Sequence, residues 1–248
     1  MRYFMLLSYK GTVYHGWQVQ KNAHSVQAEI EHALATILRE QIEVVGCGRT
    51  DSGVHAKRYV LHFDCEQELD DNNTVFRFNS LLPDDIGIYN LIKTKDDLHA
   101  RFDAKIRTYR YFIHFKRNPF LYDRSYYFKQ QKEPDIVLMN EFCKQLLTVS
   151  DFTSFEKKGS DNTNSLCTVT KAVWTKTENG LQFEISSNRF LRNMVRAIVG
   201  VSLMIGCKKR ELADILKEVK NKEIIHLSMT APASGLHLWD VTYPGLKL

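Results

Sequence analysis

The chain has 248 residues, 44% of them hydrophobic and 25% charged, which is enough to bury a core in one large or two small domains without disulfide staples. Its net charge of +5, from 34 basic and 29 acidic residues, permits a polyanionic partner without demanding one. Pro and Gly are too sparse for a disordered chain, and no apolar run approaches the roughly 18 residues of a membrane span.

The opening "MRYFMLLSYKG" has an apolar patch too short for a signal sequence and lacks a small-residue cleavage site. The five cysteines (Cys47, Cys65, Cys143, Cys167, Cys207) form no C-x-x-C pair. Their odd number and spacing argue against a disulfide framework or a zinc ribbon, and fit reduced structural thiols. A cytoplasmic protein is expected.

In chain order, residues 2–9 ("RYFMLLSY") read as a strand and "KGTVYHGW" as the loop after it. A helix is predicted from Ser25, a suitable N-cap, with Val26, Ile30, Ala33, Leu34 and Ile37 or Leu38 at helical spacing. "IEVVGC" and "RYVLHFDC" read as strands flanking a glycine-rich turn. "TVFRFNSLL" reads as a short helix stopped by Pro83, and "IGIYNLIKT" as a strand.

The second half repeats this rhythm. "TYRYFIHF" is a strand, with Tyr109, Tyr111, Ile113 and Phe115 on one face. "PDIVLMNEFCKQLLTV" is a helix opened by Pro134. "KAVWTKT" and "LQFEISS" form a hairpin turned at Asn179-Gly180. "RFLRNMVRAIVGVSLMIG" is a strong helix closed by Gly206, "KRELADILKEVKN" a further helix and "GLHLWDVTY" a closing strand. Residues 156–168 read as an exposed loop. Hairpins exclude an all-parallel sheet. The expected class is α+β, with two similar α/β lobes, 1–105 and 106–248, and a largely antiparallel mixed sheet.

Within "GCGRTDSGVHA" (residues 46–56), Asp51 raises the question of chemistry. A phosphate loop needs Lys-Ser/Thr where Val54-His55 stand, and a dinucleotide fingerprint needs a third glycine where Asp51 stands. "Asp51-Ser52-Gly53" matches an aspartic-protease triplet, but the chain holds no second copy, and Arg49 two residues away favours a fully ionised carboxylate over a shared proton. Two readings survive: an Asp-Gly turn, and a catalytic carboxylate.

The whole stretch decides between them. "GRTDSGVHA", with "HGWQ" and "SVQAEIEHAL" upstream, resembles the tRNA pseudouridine synthases of the TruA family, whose catalytic aspartate lies in G-R-T-D-x-G-V-H-A. "NSLLPDDI", "HARFDA", "TYRYFI", "NRFLRNMVRAIVG" and "APASGLHLWDVTYP" extend the resemblance over nearly the full length. It implies two lobes flanking a positively charged central active-site cleft, a homodimer, no cofactor, and isomerisation of uridine to pseudouridine at positions 38, 39 and 40 of the tRNA anticodon stem-loop. It also implies Asp51 as the catalytic residue, Tyr109 as the base-stacking tyrosine and Arg196 as the active-site arginine.

Residue chemistry adds further candidates for tRNA binding. Arg49 is either a phosphate contact or a loop brace. Read as one helix, residues 189–206 would place Arg189, Arg192 and Arg196 within about 60° of one another, a basic stripe beside an apolar face. Lys105, Arg107 and Arg110 flank the Tyr109 strand, the mix of aromatics and cations that base stacking and phosphate tracking use. His55 reads as a brace of its turn. The sequence departs from the family just after the motif, where Lys57-Arg58-Tyr59-Val60 replaces x-G-Q-V. That leaves two rivals: a paralogue acting on another RNA, and an RNA-binding chaperone without turnover.

Overall fold

The computed structural model describes residues 1–130, 132–157, 159, 163–225 and 230–246. Its elements run β1 (Arg2–Tyr9), α1 (Val26–Leu38), β2 (Val45–Gly46), β3 (His55–Asp64), α2 (Asp71–Leu81), β4 (Ile86–Thr94) and β5 (Ile106–His114). Then come β6 (Tyr126–Tyr127), α3 (Ile136–Leu146), β7 (Val169–Thr177), β8 (Gly180–Ser187), α4 (Met194–Gly206), α5 (Leu212–Lys220) and β9 (Leu236–Thr242). The fold is α+β around a mixed, mostly antiparallel nine-stranded sheet, as the hairpins and alternating patterns imply.

The chain divides into two compact units. One comprises Met1–Arg107 with His237–Leu248, the other Thr108–Leu236. In the first unit, β1 lies between β3 and β4 and is antiparallel to both. Tyr3, Phe4, Met5, Leu6 and Leu7 are all buried, so the strand reads as a continuous apolar run rather than an alternating one. The Ser25 hydroxyl accepts a hydrogen bond from the Ala28 amide and caps α1. The predicted face of α1 (Val26, Ile30, Ala33, Leu34, Ile37, Leu38) is buried throughout. Each large aliphatic there contributes about 1.5–3 kcal/mol. α2 begins three residues before the predicted start, because Asp70 accepts from the Asn73 amide and supplies the cap. β9 enters this unit through a short parallel pairing with β3, His55 opposite His237 and Ala56 opposite Leu238.

In the second unit, β7 and β8 form the predicted hairpin, with Thr177 opposite Gly180. α3 is capped by Asp135, which accepts from the Val137 and Leu138 amides, so Pro134 lies outside the helix rather than in its first turn. α4 is shorter than predicted. It starts at Met194 because Asn193 adopts a left-handed conformation, φ 66°, which a continuous right-handed helix cannot contain. Arg189 and Arg192 therefore precede the helix. Of "IEVVGC" only Val45–Gly46 pairs as strand. In the loop predicted over 156–168, residues 158 and 160–162 lie outside the described residues.

His62 on β3 ties stability to pH. It is buried, and its Nδ1 accepts from the Ala100 amide at 3.0 Å, which requires a neutral ring. Burial, then the positive Arg2 and His99, push its pKa down to about 4. A depressed histidine stabilises the fold above its unfolded pKa of about 6.5 and loses that contribution as pH falls toward 4. The loss should reach about 2 kcal/mol near pH ~4.5. Urea denaturation from pH 7 to 4.5 should show a shallower decline for His62→Asn, which keeps an acceptor without a proton to gain. Equal slopes would show that His62 does not carry the effect.

Candidate active site

Asp51 sits on the loop between β2 and β3, held from behind by the segment after β1. The Trp17 amide donates to the Thr50 carbonyl at 3.2 Å, and the Gly53 amide to the Tyr14 carbonyl at 3.3 Å. The Ser52 hydroxyl donates to the same Tyr14 carbonyl at 3.3 Å. Gly16, at φ 99°, lets the backbones approach: a Cβ there would lie 2.5 Å from the Thr50 carbonyl oxygen. Within the loop the Val54 amide donates to the Asp51 carbonyl at 3.1 Å, and Gly53 takes φ 77°. The turn is thus a real Asp-Gly turn, closed by the backbone carbonyl of Asp51. Asp51 itself is half-buried, between buried Thr50 and exposed Ser52.

His55 has the bracing role read from the sequence. It is buried, its Nδ1 accepts from the Gly11 amide at 3.1 Å, and its ring stacks on His237 at 4.6 Å.

The loop's second support is aromatic. Tyr59, fully buried on β3, donates its hydroxyl to the Gly48 carbonyl and stacks on Trp17 with ring centroids 4.0 Å apart. Tyr9 leans on Tyr59 at 5.5 Å and shares a 2.8 Å hydrogen bond with the Thr50 hydroxyl. Gly46 follows from this cluster, since a Cβ there would collide with the Tyr59 hydroxyl and come within 2.8 Å of the Trp17 ring.

The other two residues of the Lys57-Arg58-Tyr59 triplet lie at the surface and still contact protein groups. The Lys57 ammonium lies 4.1 Å from the Trp239 ring centroid, and Arg58 pairs with Asp240 at 2.9 Å. All three therefore have structural roles on β3 and β9.

Arg107 corrects a further expectation. Its guanidinium donates to the Cys47 carbonyl at 2.8 and 3.1 Å, to the Arg101 carbonyl at 2.6 Å and to the Ala104 carbonyl at 3.3 Å. It ties the start of the Asp51 loop to the "HARFDA" turn, and those donors are used on backbone. The Cys47 thiol beneath it is fully buried, and burial pushes it up to about 11, an inert thiol.

Arg49 is exposed and shares the rim of a small cavity with Trp17, Gln18, Gln27, Gly48 and Arg101. Its volume of about 160 Å³ has room for a phosphate group and not for a nucleoside. Arg101 is the residue here that sequence reading passed over; the quoted "HARFDA" was the available signal.

In the second unit, Tyr109 is buried on β5 and meets Phe190 edge-to-face at 5.0 Å. Tyr111 donates its hydroxyl to the Pro232 carbonyl at 2.8 Å. Arg110 is committed to Glu184 at 2.6 Å, and Lys171 binds the same carboxylate. Neither Arg107 nor Arg110 therefore serves as the flanking phosphate-tracking cation expected from the sequence.

Arg196 is half-buried in the first turn of α4, its Nε donating to the Ala231 carbonyl at 2.7 Å. A cation there opposes the helix dipole, at a cost of about 0.3–1 kcal/mol, so the position is not chosen for helix stability. Arg189 donates to Asn164 at 3.2 Å, and Arg192 is exposed, its carbonyl accepting from the Lys157 amide. With both ahead of the helix, the predicted basic stripe on α4 does not form.

No cluster of histidine, cysteine or acidic side chains suited to a metal is present among the described residues.

Comparison with known proteins shows the family. A sequence model described as tRNA pseudouridine synthase matches residues 142–244. The chain is 44% identical to the tRNA pseudouridine synthase A of Bacteroides fragilis, over 98% of this chain and 96% of that one. It is 37% identical to the Bacillus subtilis protein of the same name, over 98% and 99%. With Clostridium acetobutylicum the figures are 38% identity over 96% and 98%. Identity at this level over almost the whole of each chain, together with an intact G-R-T-D-x-G-V-H-A loop, places this chain in the tRNA pseudouridine synthase A family.

Proposed function

We propose that this protein is a homodimeric, cytoplasmic enzyme that converts uridine to pseudouridine at positions 38, 39 and 40 of the tRNA anticodon stem-loop, without a cofactor. The observation that carries the reading is the Asp51 loop. Three independent sets of contacts, from Tyr14–Trp17, from Tyr59 and from Arg107, hold its backbone while Asp51 stays half-buried. A turn kept only for its shape would not call for such bracing.

The reaction breaks the N1–C1′ bond, turns the uracil over and joins C5 to C1′; C5 loses a proton and N1 gains one. The product is an isomer of the substrate, so no oxidant is needed. Asp51 serves as nucleophile at C1′ or as base at C2′; both need an ionised carboxylate. Arg196 pairs with charge that develops around that carboxylate or the sugar, and its anchorage to Ala231 presets its direction. Tyr109 offers a ring under the extruded base, worth about 1–3 kcal/mol per stacked base, and its edge-to-face contact with Phe190 fixes that ring. Arg49, Arg189 and Arg192 hold phosphates.

Tyr59 is buried under the Asp51 loop, and Lys57 and Arg58 at the surface engage Trp239 and Asp240, so their structural contacts weaken the motive for a paralogue with another RNA. A tritium-release assay on uridine-labelled tRNA tests the activity, and mapping of pseudouridine in RNA from a deletion strain tests the positions. Loss at 38–40 is expected, and unchanged pseudouridine there would overturn the assignment. No helix among the described residues is long and apolar enough to cross a membrane.

A further inference from the structure

We propose that the turn after β5, residues 116–124, is a second stacking platform that binds unpaired bases of the RNA substrate, separate from the Tyr109 ring. The proposal rests on the tRNA-modifying reading above. Phe120 and Tyr122 are each 82% exposed, the highest values among the large hydrophobic side chains of the described residues. Two whole aromatic rings in water forgo the burial that aromatic residues elsewhere in this unit obtain.

The backbone that presents them is not loose. The Asn118 side chain accepts from the Phe120 amide at 2.9 Å, and its carbonyl accepts from the Leu121 amide at 3.1 Å. Pro119 fixes the first φ of the short 3₁₀ turn. The Arg124 guanidinium closes it on the Phe120 carbonyl at 2.6 Å. A turn ordered in this way loses little entropy on binding, so the rings are preorganised for a ligand.

Charge favours nucleic acid, since three cations outnumber Asp123 over residues 116–124. Lys116 and Arg117 are exposed immediately before the turn, and Arg124 is exposed within it. Aromatic faces alternating with cations suit an unpaired strand, whose bases stack while its phosphates are neutralised. A second copy of this chain would instead meet the same three cations with its own, and the chain as a whole is positive.

The test compares wild type with Phe120→Ser/Tyr122→Ser and Phe120→Leu/Tyr122→Leu, in tritium release and filter binding with full-length tRNA. The expected result is a KM and Kd raised about tenfold or more in both variants, with kcat unchanged at saturation, the effect of losing at least one stacked base. Lys116→Ala/Arg117→Ala should lower the slope of log Kd against log salt by about two. Leucine keeps apolar area but has no ring face, so full recovery by the leucine pair would overturn stacking. Unchanged binding in all variants of an active enzyme would overturn the platform. A switch from dimer to monomer in sedimentation velocity, caused by the serine pair, would reassign the turn to self-association. An inactive wild type would instead count against the proposed activity, whatever the variants do.

Discussion

Alanine at position 51 is expected to abolish pseudouridine formation, a loss of at least about 10⁴-fold, while tRNA affinity stays within about threefold of wild type. The reaction needs an ionised carboxylate at the sugar, and no neighbouring side chain on the loop replaces one. Asp51→Asn separates the two explanations for an aspartate in this turn. Asparagine keeps the turn propensity and the size but carries no charge. The Asp51 carbonyl closes the turn through the Val54 amide, and that bond does not depend on the side chain. The asparagine variant should therefore fold with an unchanged melting temperature and be as inactive as alanine. Calorimetry measures the first property and tritium release the second. An active Asp51→Asn enzyme would mean that the residue is there for the turn.

The second large effect is expected at Gly46, where it comes from packing rather than from charge. A methyl group there meets the Tyr59 hydroxyl and the Trp17 ring, two fully packed groups. The ring stack cannot yield without moving Tyr59 off the Gly48 carbonyl, and the overpacking should cost about 1–3 kcal/mol. Because Gly48 opens the Asp51 loop, kcat should fall about tenfold or more, a change in placement rather than in binding. Tyr59→Phe alone should have a smaller effect, since it loses one hydrogen bond and keeps the stack. In Gly46→Ala, Tyr59→Phe should restore part of both stability and kcat, because it removes the atom most in conflict with the new methyl. Strict additivity in this double-mutant cycle would show that Gly46 and Tyr59 act separately.

Much of the local structure was legible in the residues. β4 has the predicted bounds, and the Ser25 cap and the buried face of α1 follow from spacing alone. These signals work within one or two turns of chain, where neighbours in sequence are neighbours in space. The start of α4 was misplaced because apolar spacing continues through Phe190 and Leu191. What stops the helix is one left-handed residue, Asn193, which periodicity does not register. That single dihedral angle removed Arg189 and Arg192 from a basic stripe that the helical wheel had assembled. Arg107 and Arg110 were misread for a related reason. An arginine in sequence is a cation, and only its surroundings show whether carbonyls or a carboxylate already hold its donors.

By itself the sequence determined the fold class and the family, because a motif of fixed residue types is specific to one family. The tertiary structure decided what Lys57-Arg58-Tyr59 is for. Arg58 meets Asp240 across 182 residues of chain, and Lys57 meets Trp239 only because β9 returns to pair with β3 beside the loop. No window of sequence contains such contacts. Arg58 and Tyr59, which replace the usual Gly and Gln, and the adjacent Lys57 are held by groups that only folding brings beside them.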